Sequence, residues 1–194
     1  GRYLIYISYA CPWAHRTLIV RALKGLSHVI DVAIVDWHMT EDGWHFSDRD
    51  GAVPDPISGH AFLRDIYTAS DSSYSGRVTV PILWDKKSNR IVSNESSEII
   101  RMLNDAFAAH AKPDTDFYPS ALRAEIGEIN EVVYDTVNNG VYKCGFAGTQ
   151  EAYEAAFDAL FATLDSLEDR LSRQRYLVGN HMTEADIRLF PTLI

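Results

Sequence analysis

A single cysteine between a predicted strand and a predicted helix constrains the fold of this chain more than any other feature. The apolar run at residues 3–7 is rich in β-branched and aromatic types and predicts a buried strand. An apolar face across residues 17–24, followed by Gly25, predicts a helix. Pro12 suits the first helical position, because its missing N–H would have no partner there. Cys11 is therefore predicted to lie at the N-terminus of a helix.

This position makes Cys11 a candidate nucleophile. Free N–H groups and the positive end of the helix dipole favour a thiolate, so we expect the pKa of Cys11 to be lowered. Ala14 takes the place of the second cysteine in a Cys-x-x-Cys pair, so an external thiol would have to complete a redox cycle. The alternative is a buried structural cysteine. The position of Cys11-Pro12 between a strand and a helix favours a reactive cysteine over a structural one.

Composition excludes several classes of partner. The chain has 194 residues and a net charge of −9, with no cluster of Lys and Arg, which argues against nucleic acid and anionic membrane surfaces. No apolar run approaches the roughly 20 residues of a membrane span. Only Cys11 and Cys144 are present, which favours a reducing compartment and a cytoplasmic location. The first residue is not Met and the last lies in an apolar run, so we expect both ends to be incomplete.

The remaining pattern of the first half predicts a β-α-β unit followed by a β-β-α unit. The predicted elements are a strand at 29–35, a short helix at 61–69, a hairpin of 78–84 with 91–93, and a helix from Asn94. The long connection between the second strand and the hairpin carries three histidines that match no zinc or calcium spacing, so no metal is expected.

Two features of the hairpin region have alternative explanations. Pro81 within a strand removes a ladder hydrogen bond, so either the Val80–Pro81 bond is cis or Pro81 lies trans in an edge strand. Proline statistics alone favour trans, since about 5–6% of such bonds are cis. The helix that follows offers an anion site at its N-terminus, although capping alone would explain Asn94, Ser96 and Ser97.

The second half is predicted to be helical. Residues 1–105 form the α/β domain, 106–119 a linker, and 120–194 an all-α domain that is expected to be truncated. Helices are predicted at 121–138, with a break at 138–140, and at 150–173, with a core-facing stripe from Ala156 to Leu171. Thr183 and Asp186 fit a capping box.

Four long motifs together resemble one family. Residues 10–18 (ACPWAHRTL), 75–81 (SGRVTVP), 91–96 (IVSNES) and 134–142 (YDTVNNGVY) are similar to the glutathione transferases. Within them the chain resembles the omega-like, thiol-transferring branch and, more narrowly, the xi class of glutathionyl-hydroquinone reductases. The resemblance implies a thioredoxin-like N-terminal domain with a mixed four-stranded sheet, followed by the all-α domain of a glutathione transferase.

The resemblance also implies a glutathione site in the first domain. It implies that the Val80–Pro81 bond is cis and that the Val80 backbone pairs with the cysteinyl part of glutathione. Glu95 would accept from the γ-glutamyl ammonium, and Ser96 with the helix N–H groups would meet its carboxylate.

Four further residues match family positions. Trp44 and Arg77 correspond to residues that contact glutathione, the first by packing and the second through charge. Tyr142 corresponds to a tyrosine near the quinone pocket, and Tyr134 is a weaker match; simple packing is the alternative for both. A further tyrosine of the family's C-terminal segment has no counterpart in this chain.

The activity implied is removal of glutathione from glutathionyl-hydroquinones. The Cys11 thiolate would attack the glutathionyl sulfur, giving a mixed disulfide that a second glutathione resolves to oxidised glutathione. The family is usually homodimeric. Two alternatives are a general omega-like transferase or dehydroascorbate reductase, and a non-catalytic binding module. The combined presence of Cys11, Val80-Pro81 and Glu95-Ser96 argues against the binding module.

Overall fold

The computed structural model describes residues 1–113 and 116–194. The chain forms two compact units, Gly1–Thr115 and Asp116–Ile194. Asp114 and Thr115, within the predicted linker, lie outside the described residues, and the predicted linker boundaries stay predictions.

The first unit contains a mixed four-stranded sheet, as predicted. The strands lie in the order β2-β1-β3-β4. β1 runs parallel to β2 and antiparallel to β3, which pairs antiparallel with β4. Four of the five residues of β1 are buried, so this apolar strand forms the centre of the core. The strands are β1 (Tyr3–Ile7), β2 (Ile30–Ile34), β3 (Ile82–Asp85) and β4 (Arg90–Ser93).

Three helices complete the predicted β-α-β and β-β-α order. They are α1 (Pro12–Leu23), α2 (Leu63–Ser70) and α3 (Ser96–Asp105). Gly25, with a φ of 70°, follows the end of α1 in the left-handed region that favours glycine. The α/β part of the predicted fold is therefore confirmed.

The structure corrects the predicted position of Pro81. β3 begins at Ile82, so residues 78–81 precede the strand instead of forming its first half. A proline can occupy this position because the ladder does not require its missing N–H. The Val80–Pro81 bond is cis, as the resemblance implied, and the trans alternative is wrong.

The last residue of β3 anchors the sheet through a buried carboxylate. Asp85 accepts hydrogen bonds from Arg2 Nε (2.8 Å), the Lys87 N–H (3.0 Å) and the Ser88 hydroxyl (2.9 Å). The hydrogen bond from Arg2, supported by the other two donors, holds the pKa of Asp85 well below its usual range.

Replacing Asp85 with Asn should lower the unfolding temperature at pH 7. A carboxyl whose pKa is depressed on folding stabilises the protein above its unfolded pKa, and this contribution is lost as the pH falls. The difference in unfolding temperature between Asp85→Asn and the parent chain should therefore become smaller below about pH 4. Thermal unfolding at several pH values measures it. Asp42→Asn is the control, because this exposed carboxylate pairs only loosely with Arg64, at 3.4 Å. A difference that stays constant from pH 7 to pH 3 would contradict the interpretation.

The second unit is helical, as predicted, but its first helix is not regular. The predicted helix at 121–138 is α-helical over Arg123–Val132 and π-helical over Val133–Asn138. The Asn139 N–H donates to the Tyr134 carbonyl (3.0 Å), which is the five-residue bond of a π-helix. The predicted break at 138–140 is confirmed, because this segment ends at Asn138 and the next helix begins at Gly140. The regular helices are α4 (Arg123–Val132), α5 (Gly140–Gly145), α6 (Gln150–Arg173) and α7 (Glu184–Leu193).

The core of the second unit lies between α4, the π-helical segment, α6 and α7. Leu160 and Leu167 of the predicted stripe are buried, but Leu171 is 41% exposed, so the stripe does not reach the end of α6. The predicted capping box is confirmed, since the Thr183 N–H donates to Asp186 Oδ2 (2.8 Å) at the start of α7. No helix of the described residues has the length and apolar character needed to cross a membrane.

Candidate active site

Cys11 caps the N-terminus of α1, as predicted. Its backbone is extended, and Pro12 is the first helical residue. The Cys11 N–H donates to the Ser8 carbonyl (3.1 Å), and the Cys11 carbonyl accepts from the His15 N–H (3.0 Å). The Cys11 thiol is 3.5 Å from the Val80 carbonyl oxygen, to which it donates. The structure therefore brings together two residues that are 69 positions apart in the chain.

The electrostatic environment of Cys11 differs from the prediction. Burial raises the pKa of the Cys11 thiol, because an apolar environment disfavours the charged thiolate. The N–H groups of Ala14 and Trp13 and the charge of Arg16 act in the opposite direction, but they do not outweigh burial. The predicted lowering of this pKa is wrong, because the helix N-terminus is only one of the contributions and burial depends on the surrounding fold.

The alkylation rate of Cys11 should therefore keep rising with pH beyond the ordinary cysteine range. Since the thiolate is the reactive form, a raised pKa reduces its fraction at neutral pH. In a Cys144→Ser variant, the rate with iodoacetamide is expected to be still increasing above about pH 8.5. An alkylation rate that stopped rising below pH 7 would show that the helix N-terminus affects the pKa of Cys11 more than burial does. Free cysteine, measured under the same conditions, is the reference.

Arg16 connects the cysteine helix with the N-terminus of α3. Its side chain is almost fully buried, and its guanidinium donates to the Ser96 hydroxyl (3.3 Å). The same guanidinium lies 4.6 Å from the centre of the Trp13 ring, within the range of a cation–π interaction. Arg16 is not among the predicted site residues, although its spacing of four from the buried Val20 places it on the buried face of α1.

The N-terminus of α3 presents Glu95 and Ser96 in different ways. Glu95 is the N-cap, but its exposed side chain makes no capping hydrogen bond. Ser96 is buried and accepts from Arg16. Asn94 donates to the Tyr67 hydroxyl (3.1 Å). Capping therefore does not explain Asn94, because Glu95 is the N-cap and the Asn94 side chain donates to Tyr67 instead.

The two remaining residues predicted to contact glutathione lie on connecting segments of the first unit. Trp44 is half-buried between β2 and α2, and its carbonyl accepts from the Leu63 N–H (2.9 Å). Arg77 is exposed, and its carbonyl accepts from the Tyr74 hydroxyl (2.6 Å). These contacts position both backbones.

The two predicted pocket tyrosines lie in the second unit. Tyr142, on α5, is 37% exposed and stacks on Phe146 with a centroid distance of 6.3 Å. Tyr134, in the π-helical segment, is 49% exposed. Both rings therefore present part of their surface outside the core of this unit.

Two family models match the chain. The model described as "Glutathione S-transferase, N-terminal domain" matches residues 10–106, and "Glutathione S-transferase, C-terminal domain" matches residues 150–194. The first match includes the Cys11 turn and the start of α3.

Similar proteins are longer than this chain. Glutathionyl-hydroquinone reductase PcpF of Sphingobium chlorophenolicum is 58% identical over 194 residues, which cover all of this chain and 62% of PcpF. Among solved structures, glutathione-bound YqjG of Escherichia coli K-12 has a TM-score of 0.97 and 56% identity, covering the whole chain and 63% of YqjG. Glutathione transferase Xi 1 of Trametes versicolor has a TM-score of 0.96 and 57% identity, covering the whole chain and 68% of that protein. The chain thus spans about three-fifths of PcpF.

Proposed function

The chain belongs to the glutathione S-transferase family, within its Xi class, and from this premise we propose that it is a glutathionyl-hydroquinone reductase. The reaction removes glutathione from a glutathionyl-hydroquinone and consumes a second glutathione. Hydroquinone and oxidised glutathione are the products.

The place of the Cys11 sulfur is the observation that carries this proposal. The sulfur lies at the N-terminus of α1 and 3.5 Å from the Val80 carbonyl oxygen. Burial raises the pKa of the Cys11 thiol. The Ala14 and Trp13 N–H groups and Arg16 favour the thiolate once the proton leaves. A sulfur with such stabilising groups can act as a nucleophile.

Glutathione is proposed to bind along the first unit with its thiol towards Cys11. The Val80 backbone would pair with its cysteinyl residue, next to the buried, cis Pro81. Glu95 would accept from the γ-glutamyl ammonium, because its carboxylate makes no capping bond. The Ser96 hydroxyl accepts from Arg16, so its own proton is available for the γ-glutamyl carboxylate. Trp44 and Arg77 would complete the glutathione site.

The proposed reaction has two steps at sulfur. The Cys11 thiolate attacks the glutathionyl sulfur, the carbon–sulfur bond breaks, and the aromatic carbon takes a proton to give the hydroquinone. This leaves a disulfide between Cys11 and glutathione. A second glutathione thiolate then attacks the glutathionyl sulfur of that disulfide, so oxidised glutathione leaves and the Cys11 thiolate returns. Ala14, at the position of a second motif cysteine, makes the external thiol necessary.

The quinone-derived part of the substrate is proposed to contact Tyr142 and Tyr134. A homodimer and a cytoplasmic location belong to the same proposal. Two free cysteines are consistent with a reducing compartment.

Turnover with a glutathionyl-hydroquinone and excess glutathione tests this function. We expect oxidised glutathione to form in a one-to-one ratio with the hydroquinone, and alkylation of Cys11 to stop both. Efficient turnover of dehydroascorbate or a small mixed disulfide, without release of hydroquinone, would contradict the proposal in favour of an omega-like transferase. Glutathione binding without turnover of any of these substrates would indicate a binding module.

A further inference from the structure

A single phenol hydroxyl joins the two backbone segments that the proposed glutathione site uses. Tyr67, on α2, is 2% exposed. Its hydroxyl donates to the Thr79 carbonyl (2.8 Å) and accepts from the Thr79 N–H (3.2 Å) and from Asn94 Nδ2 (3.1 Å). Thr79 directly precedes Val80, and Asn94 directly precedes Glu95.

These three hydrogen bonds use the full bonding capacity of the hydroxyl, and the Thr79 side-chain oxygen lies farther from it, at 3.4 Å. A phenol oxygen has one proton to donate and two lone pairs to accept with. Both polar backbone groups of Thr79 are bonded to the same oxygen, so two hydrogen bonds hold the backbone before Val80. The amide of Asn94 takes the remaining position. The Tyr67 hydroxyl therefore bridges the two segments.

The neighbouring residues support this arrangement. The Tyr74 ring packs on the Tyr67 ring with a centroid distance of 4.7 Å, and its own hydroxyl donates to the Arg77 carbonyl. Asn94 also lies 3.5 Å from the Thr79 hydroxyl. The segment from Arg77 to Thr79 is thus held against α2 by two tyrosines.

We propose that Tyr67 is a positioning residue that sets the spacing between the Val80 backbone and the Glu95–Ser96 pair, and so sets the affinity for glutathione. This inference rests on the proposed function. Glutathione would bridge the two segments, with its cysteinyl backbone at Val80 and its γ-glutamyl end at Glu95 and Ser96. A bridging ligand gains both sets of hydrogen bonds only if the segments are held at the right distance.

Replacing Tyr67 with Phe removes the hydroxyl and keeps the buried ring. We expect the dissociation constant for glutathione, measured by calorimetry, to rise about five- to tenfold, as the loss of one buried hydrogen-bonding group predicts. The KM for glutathione should rise in parallel while kcat changes little, because the Tyr67 hydroxyl bonds to Thr79 and Asn94 and not to Cys11.

Tyr6→Phe is the matched control. Tyr6 is also fully buried in the first unit, but its hydroxyl donates to Asp55 (3.1 Å), which belongs to neither segment. Tyr6→Phe should lower thermal stability as Tyr67→Phe does, but it should leave the affinity for glutathione unchanged. An equal loss of affinity in both variants would show a merely structural role and overturn the inference.

Asn94→Ala provides a second, independent measurement. If the hydroxyl of Tyr67 acts through Asn94, the double variant Tyr67→Phe/Asn94→Ala should lose less affinity than the product of the two single losses. If the two losses of affinity multiplied independently, the inference would be overturned. Turnover by the parent chain would still leave the proposed function intact. A parent chain that binds no glutathione would contradict both.

Discussion

Replacing Cys11 with Ser is expected to abolish the release of hydroquinone from glutathionyl-hydroquinones, with a loss of at least about a thousandfold. Serine has nearly the same size and would occupy the same N-cap position of α1. Its oxygen cannot form the disulfide through which the glutathionyl group is transferred. Glutathione binding should be largely retained, because the proposed contacts come from Val80, Glu95 and Ser96.

Cys144→Ser is the control for this variant. Cys144 is the other free cysteine, and it packs against the core of the second unit. Its replacement should leave turnover close to that of the parent chain. If Cys11→Ser kept reductase activity, or if Cys144→Ser lost it while still folded, the proposed nucleophile would be wrong.

The second large effect is expected from Glu95→Gln, which removes one charge from the N-terminus of α3. A hydrogen bond to a charged group contributes about 1.5–3 kcal/mol, which corresponds to a rise of roughly 10- to 150-fold in the dissociation constant for glutathione. Calorimetry measures this constant directly. The KM for glutathione should follow it, and the alkylation rate of free Cys11 should stay within about twofold of the parent.

Glu98→Gln separates a specific contact from a general loss of charge. Glu98 lies in the first turn of the same helix, and its carboxylate accepts from the Ser93 hydroxyl (2.8 Å). The Glu98→Gln substitution removes the same charge from the same end of α3 but keeps Glu95, the proposed acceptor for the ammonium group. Similar affinities of the two variants would mean that Glu95 has no direct contact with glutathione.

The local features of the fold could be predicted because they depend on neighbours in the sequence. The position of Pro12 at the start of α1 follows from its missing N–H, and the Thr183–Asp186 box from side chains three residues apart. The bounds of β1 follow from a continuous apolar run, and those of α6 follow from apolar periodicity. These elements place Cys11 at a helix N-terminus before any tertiary contact is known.

The features that were missed depend on residues distant in the sequence. Burial of Cys11, which reverses the expected direction of its pKa shift, comes from the packing of the whole first unit. Arg16 reaches Ser96 across 80 positions, and Tyr67 reaches Asn94 across 27. The π-helical segment at Val133–Asn138 has no signal in the pattern of apolar residues, since the change is one of backbone hydrogen bonding.

Trapping the disulfide between Cys11 and glutathione tests the central claim most directly. The chain would be mixed with a stoichiometric glutathionyl-hydroquinone in the absence of free glutathione, quenched, and analysed by intact and peptide mass spectrometry. The mechanism predicts one glutathionyl group on the peptide that contains Cys11, one equivalent of released hydroquinone, and loss of the label as oxidised glutathione when glutathione is added. Hydroquinone released without a label on Cys11, or with the label on Cys144, would contradict it.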